Sequence, residues 1–162
     1  MASTDSLNAE PQENAMSTTI TTRIDIAADP DTVWAVLTDF ASYAEWNPFM
    51  SRVEGTPEVG SRLVVRLAPA GGRSMTFKPT VLVATPGREL RWLGKLGFGG
   101  LFDGEHFFVL DRDPDGGTRM THGEKFSGIL VSLMGGVKKN AGDGFDAFNH
   151  ALQHRAESVV SR

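Results

Sequence analysis

Three side chains in the second half of the chain have the types and spacing for acid–base chemistry. His122 and Glu124 stand two apart in TRMTHGEKF, and His106 stands in DGEHFF. Two apart in an extended segment means one face. General acid–base work needs proton-exchanging groups within hydrogen-bond reach of a substrate, and His122, Glu124 and His106 are the candidate catalytic set. The competing reading is structural. Buried imidazoles and carboxyls are costly unless paired. They must therefore pair with each other, reach water in a cavity, or touch a ligand. A fourth polar group, Asn149, falls inside the apolar stripe of a helix, where its amide must be satisfied. It either holds a strand group or the Trp46 loop, or grips a polar ligand atom. Tyrosine occurs once, at Tyr43, in a short helical region with no clear route inward.

Other motifs carry less. His150 and His154 stand at i, i+4, a spacing that can bind metal. The zinc-protease form needs Glu directly after the first His, and Ala151 is there. Both fall on the solvent face of their helix, so no metal and no cofactor is assigned. GFGG at 97–100 lacks the GK[ST] ending and following helix of a phosphate loop. It reads as a flexible hairpin or portal.

The 162 residues suffice for one domain with a core, and 40% hydrophobic with 22% charged residues is an ordinary globular balance. A formal net charge of −4 argues against nucleic acid as a partner. The chain has no cysteine, which excludes disulfides and thiolate sites and fits a cytoplasmic protein. No apolar run approaches the ~20 residues of a membrane span, and the N-terminus lacks the layout of a signal peptide.

The elements that must position these groups follow from periodicity. Residues 1–16 are polar and aperiodic and read as a disordered tail; 17–162 read as a single domain. Ser17 to Ala27 alternates, with Ile20, Thr22, Ile24 and Ile26 on one face. Asp29 and Pro30 open a short helix that ends near Asp39, and a second helical turn ends at Pro48. Six further strands are expected: Met50–Glu54, Arg62–Ala68, Ser74–Ala84, Glu89–Leu96, Glu105–Asp111 and Thr118–Ser127. In GFDAFNHALQHRAESV, Phe145, Phe148, Leu152, Ala156 and Val159 form one helical stripe. Gly142 and Gly144 leave two readings open. One is a continuous helix from about Leu130, with Met134 on its stripe and Lys138 at an open mouth. The other is a break at 142–144 with a lid before it. The inward strand faces hold Leu90 and Trp92; His106, Phe108 and Leu110; Met120, His122, Glu124 and Phe126; and Phe77, Val81 and Val83. From these, Trp46, Phe77, Trp92, Phe108, Met120, Phe126, Phe145, Phe148 and Asn149 are the candidate ligand-binding residues around a hollow between sheet and helix. Trp34 reads as packing.

This order, with VWAVLTDFASYAEWNPF (33–49), ELRWLG (89–94), DGEHFF (103–108), GTRMTHGEKFSG (117–128) and FNHALQHRAE (148–157), resembles the START/Bet v 1-like superfamily (SRPBCC). It looks most like the bacterial polyketide cyclase/dehydrase group. The resemblance implies an α+β helix-grip fold: a seven-stranded antiparallel sheet around a long C-terminal helix, with two short helices between strands one and two. It also implies a cavity for lipid-like or aromatic molecules, and matches Trp46, Pro48, Trp92, His106, Glu124 and Asn149 to the recurring pattern. Its members include cyclases, lipid carriers, receptors and co-chaperones. Three functions follow: a binder or carrier of a small hydrophobic molecule; an aromatase/cyclase-type enzyme using His122, Glu124 and His106; or a protein-interaction module with a filled core. Leu152→Ala, at the centre of the helical stripe, is expected to cost about 2–5 kcal/mol, read as a fall in the melting midpoint.

Overall fold

The computed structural model describes residues 17–97, 99–131 and 137–161. The tail at 1–16, Met134 and the side chain of Lys138 lie outside the described residues. The first strand, β1 (Ser17–Ile26), leads into helix α1 (Pro30–Thr38), a single 3-10 turn (Phe40–Ser42) and helix α2 (Tyr43–Trp46). Asp29 caps α1, its Oδ1 accepting from the backbone N–H groups of Asp31 and Thr32, with Pro30 at the first helical position as expected. Then follow β2 (Met50–Glu54), β3 (Val64–Leu67), β4 (Met75–Phe77), β5 (Thr80–Thr85), β6 (Glu89–Leu96), β7 (Phe102–Arg112), β8 (Thr118–Ser127) and helix α3 (Val137–Val160).

The expected α+β architecture stands, but the single seven-stranded sheet does not. Eight strands form two antiparallel sheets, ordered β1-β8-β7-β6-β5 and β2-β3-β4. The cause is Pro79. Ser74–Ala84 has the alternation of one strand, but proline gives no N–H to a ladder. The chain changes sheets at residues 78 and 79: β4 pairs with β3, and β5 pairs with β6. The Pro79 carbonyl accepts from Leu63 N–H at 2.8 Å, and an isolated Arg62–Thr80 bridge marks the seam. A bulge at Leu82 then shifts the pattern, so Val83 lies opposite Arg91 and Ala84 opposite Leu90. The inward pair is Val81 and Ala84, not Val81 and Val83.

α3 packs on β1, β8 and α1. It buries Phe145, Phe148, Asn149, Leu152 and Ala156 on the expected stripe. Val159, assigned to the same stripe, is 52% exposed, at an open groove that it lines with Asp31, Thr32, Ala35 and Val36 of α1. Its outer half is tied to the end of β1: Gln153 Nε2 donates to Asp25 O at 2.8 Å, and Ala27 N–H donates to Glu157 Oε1 at 2.9 Å.

The helix is continuous through Gly142 and Gly144, and the two glycines differ. A β-carbon at Gly144 would come within 2.3 Å of the Phe49 ring, so the helix approaches β2 as closely as it does because that residue has no side chain. A β-carbon at Gly142 meets nothing within 4 Å. Gly142→Ala is therefore expected to raise stability by about 1 kcal/mol. Gly144→Ala should lower it, since Phe49 is buried against Phe145 and overpacking a core costs about 1–3 kcal/mol. Paired thermal melts of the two variants test the opposite signs.

Candidate functional site

Antiparallel register stacks the inner faces of β6, β7 and β8 into rows. Trp92, His106 and Glu124 form one row, each opposite the next. The row on one side is Leu90, Phe108 and His122, which β1 extends with Thr22. The row on the other side is Gly94, Gly104 and Phe126. Two paired glycines there leave space where their neighbours carry large side chains.

A chain of polar contacts crosses these rows. His106 Nδ1 is 3.4 Å from Glu124 Oε2. His106 Nε2 is 2.7 Å from His122 Nε2. His122 Nδ1 is 2.8 Å from Asn149 Oδ1, and Asn149 Nδ2 donates to Thr22 Oγ1 at 2.8 Å. Four elements (β7, β8, α3 and β1) thus supply one network. His106, His122 and Asn149 are buried, whereas the Glu124 side chain keeps 20% of its surface accessible.

Aromatic rings enclose the imidazoles. His122 lies stacked between Phe108, at 4.4 Å between centroids, and Phe145, at 4.3 Å. His106 stacks on Trp92 at 5.1 Å with an interplanar angle of 7°. Burial first, and the neighbouring His106 second, hold the His122 imidazole well below the ordinary histidine range, while its Asn149 hydrogen bond acts the other way. His122 is neutral at physiological pH.

Beside this network lies a cavity of about 410 Å³. Its sides come from both sheets, with Val65, Leu67 and Phe77 from the smaller one, Phe49 from the segment just before β2, and Trp92, Phe102 and Phe126 from the larger. Ala141 and Phe145 of α3 complete it, and the Pro69–Gly72 hairpin and Met75 line it as well. The only ionisable side chains among its described lining residues are Glu124, His106 and Lys95.

The family described as polyketide cyclase / dehydrase and lipid transport matches residues 17–157. The chain belongs to this family. No curated protein matches it. Among solved structures it is similar to a START superfamily protein from Mycobacterium smegmatis, at 20% identity and TM-score 0.70, covering 87% of this chain and 98% of that one. It is also similar to the Zhui aromatase/cyclase of a Streptomyces species, at 17% identity and TM-score 0.72, covering 89% and 96%. A third is ginseng major latex-like protein 151 from Panax ginseng, at 9% identity and TM-score 0.70, covering 87% and 98%. At such identities these neighbours speak for the fold alone.

Within this family member the candidate residues separate into two groups. His106 and Glu124 line the cavity, with Phe77, Trp92, Phe126 and Phe145. His122 lies behind that wall, reaching the cavity only through His106. Phe108, Met120 and Phe148 are core, and Trp46 packs against Tyr43 and Phe148. The Asn149 amide turns to His122 and Thr22 rather than to the cavity. Tyr43, read as having no way inward, is wholly buried, and its hydroxyl donates to the Leu37 carbonyl. Burial and, secondarily, Asp39 raise its phenol above the ordinary range, so it is a packing residue. His150 and His154 are exposed. The hairpin or portal expected at 97–100 falls partly outside the described residues. The Gly100 carbonyl accepts from Ile129 N–H.

Sequence reasoning missed Thr22, Gly104 and Lys95. Thr22 had a signal, a lone hydroxyl on a face otherwise of isoleucine. Gly104 had one too, a glycine two before His106 on the same face.

Because the folded state resists protonating His122, the unfolded chain binds more protons below about pH 6.5. Stability is then full above that pH and falls on acidification toward the depressed folded value. Wild-type stability should drop faster than that of His122→Gln between pH 6.5 and 5, by up to about 1.4 kcal/mol per pH unit. Denaturant melts across that window measure the difference.

Proposed function

We propose that this protein binds a small, mainly hydrophobic molecule, lipid-like or aromatic, in the cavity beside α3. The observation that carries the reading is the cavity itself: about 410 Å³, apolar over most of its wall, with one polar end at Glu124 and His106. Small-molecule sites fall in the range of roughly 300–1,000 Å³ and have this makeup, an apolar lining with few convergent polar groups. The family description, which names both cyclases and lipid transport, agrees with it. The interaction-module alternative required a filled core, which a cavity of this size opposes. No helix among the described residues is long and apolar enough to cross a membrane. We place the protein in the cytoplasm on its lack of cysteine.

A second reading is favoured by one specific observation. Glu124 and His106 both line the cavity, within 3.4 Å of each other, as an acid–base pair acting on a bound substrate would have to be. An aromatase/cyclase-type reaction is the corresponding activity, with His122 holding His106. On this reading Glu124→Gln abolishes turnover while leaving binding in place; on the carrier reading it changes binding alone.

Native mass spectrometry of the protein as purified, followed by organic extraction, is expected to reveal a co-purifying apolar molecule. An apolar fluorescent probe should bind the emptied protein. Ala141→Phe, which places a ring in the cavity from a helical position, should abolish probe binding with little change in the melting midpoint. A protein that arrives empty, binds no probe and is indifferent to Ala141→Phe would overturn the proposal.

A further inference from the structure

Two imidazoles joined nitrogen to nitrogen cannot choose their tautomers independently. Asn149 donates through Nδ2 to Thr22 Oγ1, so Oδ1 is the atom it turns to His122 Nδ1. An amide oxygen only accepts, so His122 carries its proton on Nδ1. His122 is fully buried between Phe108 and Phe145, where a second proton is disfavoured. Its Nε2 is therefore a lone pair. The 2.7 Å contact from that atom to His106 Nε2 then requires the proton on His106. What remains free is His106 Nδ1, facing Glu124 Oε2 at 3.4 Å. Both atoms are acceptors, and 3.4 Å is longer than a formed N–H···O bond, so the pair is open to a donor from the cavity.

We propose that Asn149 and His122 are positioning residues that lock His106 in the Nε2–H form, so that His106 Nδ1 and Glu124 stand as paired acceptors at the cavity wall and select a neutral, hydroxyl-bearing ligand over a carboxylate. This rests on the reading of the cavity as a ligand site. Gly104 belongs to the device: a β-carbon there would lie 2.5 Å from Glu124 Oε1, so the carboxyl occupies room that only glycine leaves. Among the described residues Oε1 has no hydrogen-bond partner, which leaves it to accept from a ligand hydroxyl. The groups around His106 are Glu124 and His122 from β8, Trp92 from β6, Phe108 from β7 and Phe145 from α3. Lys95 is the remaining charged side chain of the lining. A ligand carboxylate at the inner end would bring acceptors against acceptors, whereas a hydroxyl donates to Oε1.

Nitrogen-15 spectra of histidine-labelled, ligand-free protein read the tautomers directly. The expected result is His122 protonated at Nδ1 with a bare Nε2, and His106 protonated at Nε2. A bare Nδ1 on His122 overturns the lock. Asn149→Leu removes the acceptor and should turn the His106 signature into a tautomer mixture; Asn149→Asp keeps an oxygen there and should retain His122 Nδ1–H. An unchanged His106 signature in Asn149→Leu denies Asn149 its positioning role. Should that variant fail to fold, the wild-type and Asn149→Asp spectra still decide. For selectivity, 2-naphthol should bind about ten-fold or more tighter than 2-naphthoate, the worth of one hydrogen bond to an ionised group. Gly104→Ala should erase that preference. Equal affinities overturn the selectivity. Failure of all three probes, naphthalene included, counts against the cavity reading, while the spectra of the ligand-free protein test the lock independently.

Discussion

A neutral imidazole in the middle of an aromatic core must have both ring nitrogens satisfied, and His122 is that imidazole. Left unpaired, each buried polar group costs roughly 1–3 kcal/mol. The solution draws on the rest of the molecule: α3 brings Asn149 to one nitrogen, β7 brings His106 to the other, and β1 brings Thr22 to hold the Asn149 amide. The network therefore spans the elements that pack together last in sequence terms, residues 22 and 149 being at opposite ends of the described chain. Its hydrogen bonds run in one direction only. Asn149 cannot pass a proton on, so the inner end is fixed, and the acceptors left for a ligand stand at the outer end, His106 Nδ1 beside Glu124.

The cavity exists at that outer end for reasons of backbone and register. Pro79 ends one sheet and starts the other, so the smaller sheet leaves the larger one at a seam rather than continuing flat against it. Gly94 and Gly104 then face each other across β6 and β7, one row beyond Trp92, His106 and Glu124. Where two neighbouring strands both lack side chains, the core has nothing to fill the space with. Polar chain and apolar hollow meet along one row of the sheet, and that row holds every ionisable group of the wall except Lys95.

Much of this was legible from residue order. Alternation put His122, Glu124 and Phe126 on one face, and Asn149 fell on the buried stripe of α3 because 3.6 residues per turn placed it there. The capping of α1 by Asp29 followed from residue type alone. What one sequence does not carry is pairing. That Gly94 faces Gly104, that Thr22 faces His122, and that Asn149 meets His122 rather than a ligand are all facts of register. Pro79 was visible inside Ser74–Ala84, and the alternation on either side outweighed it, although a proline that cannot join a ladder was the stronger signal. Tyr43 shows the converse error: a short helix with polar neighbours hid a side chain that is wholly buried.

The depth at which α3 lies links packing to chemistry. Gly144 lets the helix come down onto the Phe49 ring. One residue on, Phe145 stacks against His122, and about one turn on, Asn149 reaches His122 Nδ1 at 2.8 Å. A formed N–H···O bond spans only about 2.7–3.2 Å, so a helix standing off by half an ångström would stretch the Asn149 contact past that range while keeping most of its apolar burial. Dispersion and hydrophobic contact tolerate such a shift; the amide–imidazole bond does not. The glycine at 144 thus acts on the acceptors at the cavity wall through a helix, an amide and two imidazoles, and the precision of the polar end depends on the absence of a single methyl group in the apolar core.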